Sequence, residues 1–105
     1  VVDEILDYQV DGIILASVAM SSKLASRCNA RGVPVILFNR SQDDDRFSAI
    51  TSDNIFGGQK VARFLIAGGH KRIGYIAGWE GASTQRDRET GFVEELKQHG
   101  MSLYA

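Results

Sequence analysis

Short apolar runs alternate with segments of helical periodicity along the chain. Residues 12–16 and 33–39 are continuous apolar runs rich in β-branched side chains, a pattern typical of strands that are buried on both faces of a sheet. Residues 72–78 form a third run of this kind and predict a third strand. Residues 47–51 are short, and they are compatible with a strand or with an extended crossing.

Four segments have apolar residues at helical spacing: residues 1–10, 23–30, 55–67 and 86–99. Side chains that favour the N-cap position precede two of them, with Ser21 and Ser22 before the second helix and Ser52, Asp53 and Asn54 before the third. Glycines follow the predicted helix ends, where a left-handed backbone is often required.

The order of these elements predicts an α/β fold. Strands that alternate with helices of this length indicate parallel βαβ units and a parallel sheet. The predicted helix at residues 55–67 carries the small residues Gly57, Gly58 and Ala62, from which we expect it to pack closely on a sheet.

Composition excludes several classes of protein. The 105 residues are 44% hydrophobic and 24% charged, which argues against intrinsic disorder. No apolar run approaches the roughly 20 residues of a membrane span. The net charge is −1, so the segment is not itself a nucleic-acid surface by charge. A single cysteine, Cys28, excludes an internal disulfide and fits a reducing compartment. The chain starts at Val1 with neither an initiator Met nor a signal peptide, and we expect an internal fragment.

Signals for catalysis are weak. The chain has no nucleophile elbow, no Walker loop and no dinucleotide fingerprint. His70 and His99 are far apart and lack a partner at metal-ligand spacing, and we interpret the run 43–45 of aspartates as a solvated loop. We therefore expect no catalytic residues, no metal site and no cofactor.

Polar residues at the predicted strand ends are the remaining candidates for binding. In open parallel sheets, ligands bind beyond the carboxyl ends of the strands. Those ends are Ser17, Asn39 with Arg40, and Trp79 with the segment 83–88. The alternative interpretation is structural: Asn39 starts a turn, Arg40 pairs with the aspartates, and Trp79 covers the edge of the core.

Five blocks of the chain resemble, in order, the lactose-repressor/galactose-repressor (LacI/GalR) family: residues 10–15, 32–40, 52–58, 65–76 and 83–92. One block alone is weak, but the ordered series is specific, and it includes the turn Gly69-His70-Lys71-Arg72-Ile73 into a predicted strand. The resemblance implies a helix-turn-helix DNA reader joined to a two-lobed effector domain like the periplasmic binding proteins. Residues 1–50 would be the later part of the first lobe, and residues 51–105 the crossing and the opening of the second.

The resemblance also implies which residues contact an effector. Arg88 matches the family's effector-contacting arginine, and Asn39 stands where family members often have an aspartate. Ser17 is at the first strand end, while Trp79 and Ser83 are loop positions at which the family varies. An amide at position 39 keeps hydrogen-bonding capacity but loses the charge.

The implied function is sensing of a sugar or a related small polar molecule by a cytoplasmic bacterial transcription regulator. Ligand-dependent closure of the lobes would change DNA affinity, with DNA bound through a helix-turn-helix that this chain lacks. We expect a homodimer and no membrane association. The alternative is a periplasmic sugar-binding protein of a transporter, and an enzyme is disfavoured.

Overall fold

The computed structural model describes residues 2–18, 20–43 and 46–104. The chain divides into two compact units, Val1–Thr51 and Ser52–Ala105. Two aspartates of the predicted acidic loop, Asp44 and Asp45, lie outside the described residues.

The first unit is a parallel sheet with two helices. Its elements in chain order are α1 (Val2–Asp7), β1 (Ile13–Ala16), α2 (Ser22–Ala30), β2 (Val35–Phe38) and β3 (Ser48–Ile50). The strands lie in the order β1-β2-β3, and all the pairs are parallel. Residues 47–51, for which the sequence left two interpretations, contain the strand β3.

Local signals explain the boundaries of α2. Ser21 is its N-cap and accepts a hydrogen bond from the Leu24 amide at 3.3 Å. Gly32, two residues beyond the helix, has a φ of 69°, which glycine adopts without the steric penalty of a Cβ.

The core of the first unit lies on one face of the sheet. It consists of buried residues from the helices, the strands and the loop before α2: Leu6, Ile13, Met20, Cys28, Val35 and Leu37. The opposite face is apolar but exposed, with Ile14 at 72% and Phe38 at 52% exposure. The prediction that these strands are buried on both faces is therefore wrong for this chain, because α1 and α2 both contribute to the core on the same face.

The second unit is a pair of helices, α3 (Asn54–Ala67) and α4 (Ser83–Gln98). Asp53 is the N-cap of α3 and accepts a hydrogen bond from the Phe56 amide at 3.1 Å. The helix α4 begins about a turn before its predicted start, and Ala82 at its N-cap makes no side-chain capping bond.

Two glycines let α3 and α4 approach closely. A Cβ on Gly58 would overlap the carbonyl oxygen of Arg88, and a Cβ on Gly91 would overlap that of Ile55. Gly58 and Ala62 thus serve close packing, as predicted, but the partner in the second unit is a helix rather than a sheet, and Gly57 is exposed with no atom within 4 Å of an added Cβ.

Residues 72–78 do not form a strand, and this prediction is wrong. The segment keeps the alternation of an extended backbone: Ile73 is buried, Gly74 is exposed, Tyr75 is half-buried and Ile76 is fully exposed. One hydrogen bond, from the Tyr104 amide to the Ile73 carbonyl at 2.9 Å, begins a pairing with the end of the chain. A strand requires a ladder of such bonds, and the local sequence cannot supply the partner.

The segment still contributes to the core of the second unit. Ile73 is buried with Ala62, Phe92 and Leu96. The Tyr75 ring lies 5.1 Å from that of Phe92, centroid to centroid, with the planes tilted by 54°.

Candidate functional site

In the first unit, the structure brings together two predicted site residues at adjacent strand ends. The Asn39 side-chain amide donates to the Ser17 hydroxyl at 3.0 Å. Both residues directly follow a strand, and their φ angles are 58° for Ser17 and 63° for Asn39. Asparagine tolerates this left-handed region better than serine, for which it is unusual.

Backbone hydrogen bonds fix these two residues. The Ser17 amide donates to the Phe38 carbonyl and the Asn39 amide to the Ile50 carbonyl, both at 2.8 Å. These bonds extend the parallel pairing one residue past each strand before the chain turns away. Arg40 donates through Nη1 to the Asn39 carbonyl oxygen at 3.2 Å. The result is a small polar cluster at the carboxyl edge of the sheet.

In the second unit, Arg88 is held by Asn54, which the sequence pattern predicted as a helix-capping residue and not as a site residue. Its Nε donates to the side-chain oxygen of Asn54 at 3.0 Å. Asn54 is the first residue of α3 and only 7% exposed. Its side-chain nitrogen donates to the Ser52 carbonyl at 3.1 Å, so both ends of this buried amide are satisfied.

Arg88 and Asn54 line a groove of about 480 Å³ along α3 and α4, which we name the α3/α4 groove. Apolar side chains of both helices and of the extended segment complete its lining: Val61, Leu65, Tyr75, Ile76 and Phe92. An apolar groove with a few fixed polar groups at one place is the usual composition of a small-molecule site.

Trp79 and Ser83 are not part of this lining among the described residues. Trp79 is 71% exposed and its indole lies against Gly81, where a Cβ would overlap the ring. Ser83 is buried as the first residue of α4. The end of the extended segment before Trp79 is tied to α4 by Gln85, whose side-chain oxygen accepts from the Gly78 amide at 3.0 Å and whose side-chain nitrogen donates to Glu89 at 3.0 Å.

A sequence signal for Asn54 was present. Three consecutive residues that favour capping precede the apolar part of α3, whereas a helix has one N-cap position. Asp53 fills it, which leaves Asn54 available for another contact. Its partner lies 34 positions away in α4, and no local pattern identifies that pairing.

The second unit also contains a buried carboxylate that connects the same two helices. Glu95 is 3% exposed, and its Oε1 accepts from Arg63 Nε at 2.8 Å. The hydrogen bond and the negative charge of Glu95 raise the pKa of the Arg63 guanidinium. His99 Nδ1 lies 3.0 Å from the Glu95 carbonyl oxygen. This cluster holds helices together and does not line the α3/α4 groove.

Residues 2–18, 20–43 and 46–104 contain no group of three or more His, Cys, Asp or Glu residues placed to hold a metal ion. Within the same ranges, no helix has both the length and the apolar character needed to cross a membrane.

A parallel α/β chain with polar residues at its strand ends defines a class of small-molecule-binding proteins. Comparison with known families shows which family of such proteins this chain belongs to. Residues 1–104 match the family described as periplasmic binding proteins and sugar binding domain of LacI family. The chain belongs to this family, which confirms both the LacI/GalR resemblance and the predicted α/β fold class.

Relatives in this family include transcription regulators. "Probable HTH-type transcriptional repressor ExuR" of Bacillus subtilis (strain 168) is 30% identical over 102 residues, which are 96% of this chain and 31% of that protein. A transcription regulator from Lactobacillus plantarum, known from its crystal structure, superposes with a TM-score of 0.76 at 33% identity, over 90% of this chain and 36% of that one.

A further solved relative is the complex of the transcriptional regulator CelR with cellobiose. It superposes with a TM-score of 0.81 at 30% identity, over 95% of this chain and 32% of that one. This chain therefore spans about a third of the length of the relatives it matches.

Proposed function

We propose that this chain is the effector-sensing part of a bacterial DNA-binding transcription regulator. The observation that carries the proposal is the Arg88 guanidinium, which lines the α3/α4 groove and is held there by the buried Asn54 side chain. Arg88 is at the position that resembles the family's effector-contacting arginine. The relatives described above are transcription regulators, which favours regulation over transport or catalysis.

The effector domain has two lobes, and this chain supplies parts of both. Residues 1–50 are the later part of the first lobe, and residues 51–105 are the crossing and the opening of the second. The division of the chain into compact units between Thr51 and Ser52 supports this assignment.

Effector binding acts through lobe closure. A ligand that contacts both lobes favours one closure angle and thereby shifts DNA affinity through a homodimer. The DNA is bound by a helix-turn-helix outside this chain. The regulator works in the cytoplasm, and its response to the effector requires no cofactor and no catalytic step.

Each remaining site residue has a role suited to a sugar or a related polar molecule. Ser17 and Asn39 offer a hydroxyl and an amide that already contact each other and that can exchange this bond for ligand hydroxyls. Trp79 offers an exposed aromatic face on which a sugar ring can pack. Ser83 is buried at the start of α4 and outside the lining of the α3/α4 groove, so a contact between its hydroxyl and the ligand stays a prediction.

The experiment is substitution of Arg88 in the full-length regulator. Thermal-shift screening with sugars, nucleosides and polyols first identifies a stabilising compound. Calorimetry then compares the wild type with Arg88→Lys, which keeps the charge but loses the planar fork of donors. We expect effector binding to weaken by about 1.5–3 kcal/mol, the range for charge-assisted hydrogen bonds, with operator binding in the absence of effector unchanged.

Arg86→Lys is the matched control, since Arg86 lies two positions earlier on α4 and donates to the Glu80 carbonyl outside the groove lining. Unchanged effector affinity in Arg88→Lys would refute the assignment of Arg88.

A further inference from the structure

The chain segments that follow β1 and β2 keep the register of the sheet after both strands end. Each residue pair in the β1–β2 ladder is separated by 22 positions in sequence. Ser17 and Asn39, which share a side-chain hydrogen bond, are also 22 positions apart. Met20 and Gln42 are in contact at the same separation. The register of the strands therefore continues at two further points beyond the sheet.

Gln42 pairs with the backbone of Met20 through both ends of its side-chain amide. The Gln42 side-chain oxygen accepts from the Met20 amide at 2.7 Å, and its side-chain nitrogen donates to the Met20 carbonyl at 2.9 Å. We name this pair of bonds the Gln42 bridge. A side-chain amide offers a donor and an acceptor as the backbone does, so the bridge replaces the backbone ladder after the strands end. Met20 is 5% exposed and packs in the core of the first unit, which makes it a fixed point of attachment.

The Gln42 bridge accounts for the strained backbone of Ser17. Ser17 has a φ of 58°, a conformation that costs free energy in a residue with a Cβ. Such a backbone persists only where the surrounding contacts hold it. The Ser17 amide is held by the Phe38 carbonyl, and the Gln42 bridge holds the chain again at Met20. The loop after β1 is thus fixed on both sides of its turn.

The direction of the Ser17 side chain depends on this turn. With the left-handed backbone in place, the Ser17 hydroxyl meets the Asn39 side-chain amide at 3.0 Å. Asn39 has its own support, because its backbone amide donates to the Ile50 carbonyl. If the loop after β1 relaxed, Ser17 would turn away while Asn39 stayed in place. A ligand that contacts both side chains would then have to restore the turn, and this ordering lowers affinity.

We infer that Gln42 is a positioning residue for the polar cluster at the carboxyl edge of the first sheet. It holds the loop after β1 in the conformation in which Ser17 faces Asn39, without itself contacting the ligand. The inference rests on the proposed function of Ser17 and Asn39 as ligand contacts. A site whose side chains are in place before the ligand arrives loses less conformational entropy on binding, so Gln42 raises affinity through Ser17.

Gln42→Met tests the bridge in the full-length regulator without effector. Methionine has a side chain of similar length, but it cannot form the two strong hydrogen bonds of the amide. NMR spectra with selective labelling report the Asn39 side-chain amide and the backbone amides of Ser17 and Met20. We expect the Met20 amide to lose protection from exchange and the Asn39 side-chain resonances to move toward those of a solvated amide. Unchanged Ser17 and Asn39 resonances beside an unprotected Met20 amide would overturn the inference, independently of any ligand.

Effector binding measures the functional consequence. Calorimetry with the compound identified by thermal-shift screening should show about threefold to tenfold weaker binding in Gln42→Met, the range expected when binding must order one more side chain. Operator binding in the absence of effector should stay unchanged.

A double-mutant cycle with Ser17 separates positioning from a general loss of structure. Ser17→Gly removes the hydroxyl and accepts the positive φ at this position. Because Gln42 acts through Ser17, Gln42→Met should change effector affinity by less than about twofold in the Ser17→Gly background. An equal loss of affinity in both backgrounds would assign Gln42 a structural role and overturn the inference.

Ser26→Ala is the matched control. It removes another side-chain bond of the segment after β2, which Arg46 Nη1 donates to the Ser26 hydroxyl at 2.8 Å, and it leaves the Gln42 bridge intact. Effector affinity and the Asn39 resonances should remain those of the wild type. Weakening as large as that in Gln42→Met would show that the effect is not specific to Gln42.

The outcomes distinguish this inference from the proposed function. If Arg88→Lys weakens effector binding and Gln42→Met leaves it unchanged, the proposed function stands and the inference fails. If Gln42→Met weakens binding only where the Ser17 hydroxyl is present, and Arg88→Lys has no effect, the inference stands and the assignment of Arg88 fails.

Discussion

The first unit builds its core between a parallel sheet and two helices, whereas the second builds its core between two helices and an extended segment. In the first unit, β1 and β2 become strands because each has a parallel neighbour. In the second, residues 72–78 have a similarly apolar composition but remain extended, with one strand-like bond. The difference shows that a strand depends on its neighbours as much as on its own sequence.

The two units also differ in how tightly their contacts are specified. In the second unit, Gly58 and Gly91 set the distance between α3 and α4, because a Cβ added to either glycine would overlap a backbone carbonyl of the other helix. The first has an exposed apolar face, and its polar cluster relies on two residues with left-handed backbones. Substitutions in one unit should therefore leave the other largely unaffected, which the following experiments test with hydrogen exchange resolved by peptide.

Leu37→Ala should have the largest effect. Leu37 is fully buried at the centre of the first core, and removal of a buried leucine side chain costs about 2–5 kcal/mol. Urea unfolding measures the loss, and hydrogen exchange should localise it to residues 13–50. The matched control is Phe38→Ala, one residue along the strand on the exposed face. An equal loss in both variants would show that this face is covered in solution.

Gly91→Ala should have the next largest effect, confined to the second unit. The added Cβ overlaps the Ile55 carbonyl, and overpacking of this kind costs about 1–3 kcal/mol. Gly57→Ala is the control, since no atom lies within 4 Å of its added Cβ. We expect that control to gain up to about 1 kcal/mol from helix propensity. A destabilised Gly57→Ala or a neutral Gly91→Ala would contradict the helix packing described above.

Asp53→Ala should cost about 1 kcal/mol, the typical loss of an N-cap side chain. The bond from the Phe56 amide is lost, and exchange should increase in the first turn of α3. Ser52→Ala is the control: its carbonyl still accepts from Asn54, and its side chain does not cap the helix. If Ser52→Ala were the more destabilising of the two, the capping assignment would be wrong.

Local signals in the sequence predicted much of the fold. The caps Ser21 and Asp53 and the strands of the first unit follow from side-chain chemistry and periodicity within a few residues. Features that depend on distant residues could not be predicted from local signals. These are the absence of a hydrogen-bond ladder at residues 72–78, the exposed face of the first sheet, and the close contact of Gly91 with α3. The candidate site shows the same division, because the strand ends predicted Ser17 and Asn39 as candidates, while the contact of Asn54 with Arg88 depends on the packing of two helices.

Substitutions at Ser17 should have the smallest effect on stability. They test whether the backbone strain at Ser17 lowers the stability of the chain while its hydroxyl serves ligand binding. Serine at a φ of 58° is strained by about 1–2 kcal/mol. Ser17→Gly removes this strain but also loses the bond from Asn39, worth about 1 kcal/mol, and adds the entropy cost of a flexible glycine.

These contributions nearly cancel, so Ser17→Gly should change the free energy of unfolding by less than about 0.5 kcal/mol. Ser17→Ala keeps the strain and loses the same bond, so it should be about 1 kcal/mol less stable than Ser17→Gly. Urea unfolding of the two variants isolates the backbone contribution, because neither has the hydroxyl. If alanine were equally stable, Ser17 would not hold a strained backbone. Effector binding gives a separate comparison. If Ser17→Gly and Ser17→Ala weaken effector binding equally, the loss of affinity comes from the missing hydroxyl and not from the backbone.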